Sequence, residues 1–342
     1  MSEIVRKLAT VEKVKSCIKH PNADKLNIIT VRGWQCITTE YYNPDDYCVY
    51  FEVDSFLPID ERYEFLRKAC YKNVDGLGEG FRLRTIKLRG ELSQGLALPI
   101  SFFPEITNPE DGLDVTELLK VQKYEKPIPA CLNGVAKGNF PSFIPKTDQE
   151  RIQNKWEFYE RFPEFKKDFF EVTMKLDGSS MTVYWFNGKF GVCSRNIDLE
   201  ETADNLFWKT ARNYNLEAEL REHCPNLNIA IQGELMGPGV QGNRENLTEH
   251  KFFVFDIWNI DTQSYLLPSA RISFVETLGL DHVPILENKS GEDFLTLESF
   301  LSYADGPSLN HKYREGVVFK SMDRYNNTFK VISNKYLLDE KD

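Results

Sequence analysis

The chain has 342 residues, 41% of them hydrophobic and 27% charged, which is the make-up of an ordinary globular protein. At roughly 100–200 residues per domain, two domains are expected. No apolar run nears the roughly 18 residues of a membrane helix, and the opening MSEIVRKLAT lacks the apolar stretch of a secretory signal. The expected setting is therefore intracellular (cytoplasmic, or nuclear in a eukaryote), with no membrane partner. A formal net charge of −10 excludes binding to nucleic acid by bulk charge, so any such contact needs a local basic face.

Residues 1–125 read as a β-rich unit. Short β-branched or aromatic runs lie at Asn27–Val31, Cys48–Val53, Arg82–Leu88 and Leu96–Ile100, separated by the turn signals HPNAD, NPDD and DGLGEG. Many short strands punctuated in this way predict a small barrel or sandwich. One helix is expected near Glu61–Lys72. Residues 126–145, with Pro127, Pro129, Pro141 and Pro145, read as a linker. Residues 146–342 mix predicted helices (Asp148–Arg161, Leu206–Glu222) with predicted strands (Phe170–Lys175, Ser180–Phe186, Ile229–Glu234, Phe252–Ile257, Gly316–Lys320). That pattern predicts an α+β domain on antiparallel sheets. The seven cysteines are an odd number and form no CxxC pair, so reduced thiols are expected rather than a disulfide framework or a zinc site.

The strongest local signal is EVTMKLDGSS, Glu171–Ser180. A strand runs into Lys175, an Asp177-Gly178 turn follows, and Ser179-Ser180 open the next strand. A lysine so placed is presented to a pocket. It becomes a nucleophile only as the free amine. Burial or nearby cations favour that form, and Asp177 is placed to bind a metal through water with the same effect. The alternative is a surface lysine beside an ordinary hairpin turn.

Further motifs accompany it in order: CSRN at 193–196, QGELMGPG at 232–239, FFVFDIW at 252–258, REGVVFKS at 314–321 and FKVISNKYL at 329–337. Together with KLDGSS this series resembles the catalytic domain of covalent lysyl-nucleotide ligases. The upstream block KTDQERIQN, 146–154, is similar to the RNA ligase branch of the phage T4 RNA ligase 2 type. The resemblance implies the antiparallel-sheet nucleotidyltransferase fold of DNA and RNA ligases, unrelated to the ATP-grasp fold, with Lys175 as the residue that takes AMP. It implies nucleotide contacts from Met174, Leu176, Ser180, Arg195, Glu234, Lys320 and Lys330, with an aromatic, Phe255 or else Phe253, stacked on adenine. It implies divalent-metal binding by Asp177, Glu234 and Glu315. Physically, Arg195 offers a planar fork to ribose or phosphate, and Lys320 and Lys330 offer cations to the phosphates. One departure is the K-x-K pattern of the last motif, where Ile332 stands in place of the second lysine.

In the N-terminal unit, HPNADKL at 20–26 and LRGELSQGLALP at 88–99 resemble the tRNA-binding OB modules attached to some synthetases. Arg82, Arg84, Lys87 and Arg89 then form a basic patch for RNA, or else a solvated strand face. An OB-like β-barrel ahead of the ligase domain, with the chain ending just past the last motif, resembles the small group of RNA ligases known from Deinococcus radiodurans and Naegleria gruberi. The implied activity is ATP-dependent sealing of RNA 3′-OH to 5′-phosphate ends at a nick, with Mg2+ or Mn2+ and no obligate protein partner. The alternatives are a DNA acceptor, a GTP-using capping enzyme, or a non-catalytic RNA-binding relative.

Overall fold

The computed structural model describes residues 6–125, 132–324 and 326–339. The chain divides into two compact units, one holding the described residues up to 125 and the other those from 132 onward. Among the described residues no helix is long and apolar enough to cross a membrane.

In the first unit, β1 (Ala9–Lys19) serves two neighbours. Its first half pairs with β4 (Tyr47–Phe51), its second half with β2 (Asn27–Val31), and a bulge between Val14 and Ser16 separates the two. A bulge adds bend and twist, which curls the sheet. With β3 (Trp34–Thr38) and β10 (Leu96–Pro99) the order is β10-β4-β1-β2-β3. A second sheet has the order β11-β5-β7-β6, from β5 (Ser55–Pro58), β6 (Tyr71–Val74), β7 (Gly78–Arg82) and β11 (Gln122–Lys123). β8 (Ile86–Leu88) and β9 (Glu91–Ser93) form a separate hairpin. Inward residues such as Val11, Val49, Phe51, Leu57 and Phe81 make one core, and Val14, Ile29, Val31 and Trp34 another.

Two expectations change here. The run Arg82–Leu88 is not one strand, because the chain leaves β7 at Arg82 and the Leu83 amide turns to the Ser55 carbonyl at 2.9 Å. The helix expected at Glu61–Lys72 is a 3-10 turn, Glu61–Leu66, followed by α1 (Arg67–Cys70), and Lys72 already belongs to β6. Asp60 starts the turn by accepting the Arg62 amide at 2.9 Å.

The second unit holds two larger sheets. One has the order β12-β16-β15-β14-β17-β18-β19, with β20 on β18, from β12 (Ala136–Asn139), β14 (Ser179–Phe186), β15 (Lys189–Cys193), β16 (Ile197–Leu199), β17 (Ile229–Met236), β18 (Lys251–Asn259), β19 (Ser264–Tyr265) and β20 (Asp281–His282). The other has the order β21-β13-β22-β23, from β13 (Phe169–Lys175), β21 (Ile285–Ser290), β22 (Gly316–Ser321) and β23 (Thr328–Ile332). Helices α2 (Ile152–Arg161), α3 (Pro163–Lys166), α4 (Leu206–Asn213), α5 (Leu216–His223), α6 (Pro268–Thr277), α7 (Leu297–Ala304) and α8 (Asn334–Asp339) flank them. The first sheet packs α4 and α5 with Met181, Val183, Ile229 and Phe252. The second packs α2 and α7 with Phe170, Val172, Val317 and Phe329.

The helix expected over Leu206–Glu222 is broken at Asn215, which sits at φ 52, a left-handed conformation that Asn tolerates better than most residues. The helix expected from Asp148 begins only at Ile152, because residues before it run extended and Glu150 accepts the Lys330 amide at 2.8 Å. Residues 136–145, expected in the linker, pack on this unit. β12 pairs with β16, the Phe143 ring stacks on Phe186 at 4.2 Å, and the Pro145 carbonyl accepts from Gln232 at 2.7 Å. Six of the seven cysteines are free thiols, and Cys131 lies outside the described residues.

Candidate active site

Strand register decides which side chains share the space between the two sheets, because directly paired residues lie on one face. On the β13-β22-β23 sheet the matched sets are Lys175, Gly316 and Ile332, then Thr173, Val318 and Lys330, then Glu171, Lys320 and Thr328. On the opposing sheet they are Ser180, Glu234 and Phe253, then Thr182, Gln232 and Asp256. Met174, Leu176, Met236, Phe253 and Val283 close the base of the cleft as a small buried cluster, with Phe255 packed against it.

Lys175 ends β13, and its Nζ donates to Glu315 Oε2 at 2.7 Å. Burial by itself lowers the affinity of this amine for its proton. Glu315, Glu234 and Asp177 oppose that, and the net result is a pKa raised above the ordinary lysine value. Glu234 is pushed up to about 8, by burial first, against the pull of Lys175 and with the push of Glu315 and Asp177. Its Oε1 accepts the Gly178 amide at 3.0 Å. That contact needs a residue without a side chain at 178, since a Cβ there lies 2.4 Å from the Leu235 carbonyl oxygen. Asp177 Oδ2 accepts from the Tyr336 hydroxyl at 2.7 Å.

The other expected residues are distributed along the cleft and its rim. Ser180 Oγ is 2.9 Å from Thr147 Oγ1, and Arg195, on the rim, pairs with Asp148 at 2.7 Å. Met174 and Leu176 are buried in the apolar base. A bulge in β18 sets the aromatic register. Asp256 pairs with Gln232 while Val254 pairs with Gly233, so Phe255 is the extra residue. Phe253 is 8% exposed, and Phe255 is more open. Lys330 lies across from Val318, two residues from Gly316.

Lys320 does not stand beside Lys175. It is four residues along β22 from Gly316, about 13 Å at roughly 3.3 Å per residue. Its amine donates to the Phe255 carbonyl and to Asp256 Oδ1 at 2.7 Å. Burial lowers its pKa, with Asp256 opposing and Arg271 adding to the depression. Behind it lies a buried chain of polar groups. Arg271 donates to Glu171, and through Nε to His282 Nε2 at 2.9 Å.

Among the described residues no three His, Cys, Asp or Glu side chains stand close enough to cage a metal unaided. The donor set still fits a hard divalent ion. It is all carboxylate oxygen, and Glu315 and Asp177 add to the burial that pushes Glu234 up. Mg2+ typically takes one or two carboxylates together with substrate phosphates and keeps several waters, so no full protein cage is required.

The four expected RNA-binding cations do not share one strand. Arg82 is buried at the end of β7, its guanidinium 4.0 Å from the centre of the Tyr124 ring. Arg84 is exposed in the segment that follows, Lys87 is exposed in β8, and Arg89 occupies the β8–β9 turn at φ 52. The two motifs noted in this unit do meet. His20 Nε2 donates to the Leu88 carbonyl at 3.0 Å, and Asn22 Nδ2 to the Arg89 carbonyl at 3.1 Å.

Gln232 and Tyr336 lie within the motifs QGELMGPG and FKVISNKYL but drew no role from the sequence, and Glu245 lies outside every motif. Glu245 is buried and accepts the Ser308 hydroxyl and, at 2.6 Å, the Asn310 amide. Thr147 and Asp148 were within reach, since both lie in KTDQERIQN.

An OB fold together with two antiparallel sheets that enclose a lysine among carboxylates defines the nucleotidyltransferase class. The chain belongs to the RNA ligase family, which it matches over residues 168–336, and it matches an OB-fold domain over residues 8–100. Naegleria gruberi RNA ligase with pyrophosphate is 44% identical, with a TM-score of 0.91, over 97% of this chain and 98% of that one. A variant of the same ligase with ATP and Mn is 44% identical, with a TM-score of 0.92, over 98% and 100%. Another with AMP and Mn is 43% identical, with a TM-score of 0.90, over 97% and 98%. No curated protein gives a significant match.

Proposed function

We propose that this RNA ligase uses ATP and joins a 3′-OH RNA end to a 5′-phosphate end at a nick, with Lys175 as the nucleophile. The observation that carries this reading is the Lys175–Glu315 contact of 2.7 Å in a cleft that also holds Glu234 and Asp177. The similarity to a ligase structure with ATP and Mn supports the nucleotide and the metal class.

Lys175 Nζ forms a P–N bond to the α-phosphorus of ATP, and pyrophosphate leaves. The AMP then passes from Lys175 to the RNA 5′-phosphate, releasing the lysine and leaving a 5′–5′ pyrophosphate end. The RNA 3′-OH attacks the 5′-phosphate phosphorus, forms the phosphodiester and expels AMP. Each step moves charge onto phosphate oxygens, so positioned cations and donors contribute most.

The side chains divide this work. Lys175 rests as an ammonium on Glu315 and must give up that proton before it attacks. A bound Mg2+ or Mn2+ supplies positive charge against Asp177, Glu234, Glu315 and the phosphates, which favours the free amine. Glu234, opposite Phe253, contributes to ribose or metal-water contacts, and Arg195 to the ribose from the rim. Phe255 offers its ring to adenine. Lys320, held against Phe255 and distant from Lys175, serves the base end of the nucleotide, and Lys330 is the cation nearer the α-phosphate. Ile332 is buried and matched with Gly316, so it supplies no charge. Arg84, Lys87 and Arg89 contact the RNA backbone from the OB unit.

Incubation with α-labelled ATP and Mn2+, followed by denaturing electrophoresis, tests the first step. Acid-labile label is expected on the wild type and none on Lys175→Ala. Label retained on that variant would refute the assignment. A nicked RNA duplex compared with an equivalent DNA nick tests the acceptor, and preference for DNA would overturn it.

A further inference from the structure

The short stretch Ser333–Tyr336 touches two of the carboxylate positions around Lys175 and makes none of the expected ligand contacts. The Ser333 amide donates to the Glu315 carbonyl at 2.9 Å. Ser333 Oγ donates to Asp305 at 2.7 Å and accepts the Tyr336 amide at 3.1 Å, which starts α8. Tyr336, 5% exposed, then donates its hydroxyl to Asp177 Oδ2 at 2.7 Å. Its ring is covered by the Arg244 guanidinium at 4.8 Å, and Arg244 also pairs with Asp339 at 2.8 Å on the same helix. The loop that carries Arg244 follows the strand bearing Glu234, and the next residue, Glu245, ties it to the segment leading to Glu315.

We propose that Tyr336 is a positioning residue for lysine adenylation. Its hydroxyl holds the Asp177 carboxylate through Oδ2, and α8 with Arg244 holds the tyrosine in place. The proposal rests on the reading of Lys175 as nucleophile and Asp177 as a metal-side carboxylate.

The physical reason is conformational. Asp177 lies in the turn just after Lys175, where an unrestrained carboxylate samples several rotamers. A hydrogen bond from a buried hydroxyl to a carboxylate removes that freedom, and hydrogen bonds to charged groups are the stronger kind. Loss of the hydroxyl therefore removes the hydrogen bond to Asp177 Oδ2 while the ring under Arg244 is kept.

The test compares wild type, Tyr336→Phe and Arg244→Ala, all as the full chain. Mn2+ binding in the presence of ATP is followed by the electron paramagnetic resonance signal of free Mn2+, in a Lys175→Ala background so that no turnover occurs. Lysyl-AMP formation is measured separately against Mn2+ concentration in the Lys175 proteins. Tyr336→Phe is expected to keep the wild-type melting temperature within about 2 °C. It should weaken Mn2+ binding several-fold and raise the half-saturating Mn2+ for labelling by a similar factor, with a smaller effect on the rate at saturating Mn2+. Arg244→Ala should move the same two quantities in the same direction. In an Asp177→Asn background, Tyr336→Phe should produce no further loss of Mn2+ binding, because the two changes act through one contact. Unchanged Mn2+ binding in Tyr336→Phe, or full additivity with Asp177→Asn, overturns the proposal and leaves the lysine assignment standing. Absence of label on Lys175 in the wild type overturns both.

Discussion

His282 lies in the polar chain behind Lys320, and its titration should be visible in the stability of the protein. Its Nδ1 donates to the Val283 carbonyl at 2.6 Å, and its Nε2 accepts from Arg271 Nε, so both nitrogens are committed to the neutral ring. Burial, followed by the charge of Arg271, depresses its pKa from the ordinary 6.5 to about 4. The folded pKa is below the unfolded one. Between pH 6.5 and 4 the unfolded chain therefore binds more protons, and stability falls as the pH is lowered through that window. Linkage between 6.5 and about 4 gives a loss of about 2 kcal/mol at pH 5 relative to pH 7.5. The His282→Gln variant keeps an acceptor for Arg271 but does not titrate. Urea unfolding followed by tryptophan fluorescence at pH 7.5, 6.5, 5.5 and 5.0 isolates the effect as the difference between the two proteins. Other titrating groups, including Glu234, are common to both and cancel to first order. The variant's curve should be flatter by about 2 kcal/mol across the range. Parallel curves would show that His282 is not held neutral by burial and Arg271, and would refute the reasoning.

Gly178→Ala places a Cβ 2.4 Å from the Leu235 carbonyl oxygen and 2.9 Å from Glu234 Cγ. It should cost about 1–3 kcal/mol of stability, read by thermal melting, and slow lysyl-AMP formation more than ten-fold by displacing Glu234. Arg84→Ala and Lys87→Ala should weaken RNA binding with lysyl-AMP formation unchanged. Each should also reduce the slope of log affinity against log salt by about 1 if it contacts a phosphate. A variant that loses adenylation as well would remove that cation from the RNA face.

The strand before Lys175, the Asp177-Gly178 turn and the order of the later motifs were legible in the sequence, because each depends on contiguous residues. So was the α+β antiparallel architecture. What escaped depends on contacts between distant segments. Arg82 reads as one of four cations on a strand, and only the fold brings Tyr124 under its guanidinium. Lys320 reads as a phosphate ligand from its place in REGVVFKS, and register alone reveals its distance from Lys175 and its hold on Asp256. Tyr336 and Asp177 are joined across 159 positions, beyond any local pattern. The break at Asn215 reflects a single left-handed residue, which helical periodicity on either side conceals.

The single extra residue in β18 also bears on how this strand can change. Before it, Phe252 and Val254 point into the helix-packed core, and beyond it Ile257 does the same, three positions further on rather than two. Phe253 and Asp256 occupy the opposite side for the same reason. The bulge therefore works as a phase shift within one β-strand. Deleting Phe255 would restore strict alternation with Phe252, Val254 and Ile257 still on the helix side and Phe253 and Asp256 still on the cleft side. Removing Phe255 therefore costs the ring that the bulge presents and keeps the facing of the residues on either side, whereas a deletion elsewhere in the strand, with the bulge kept, inverts every contact beyond it.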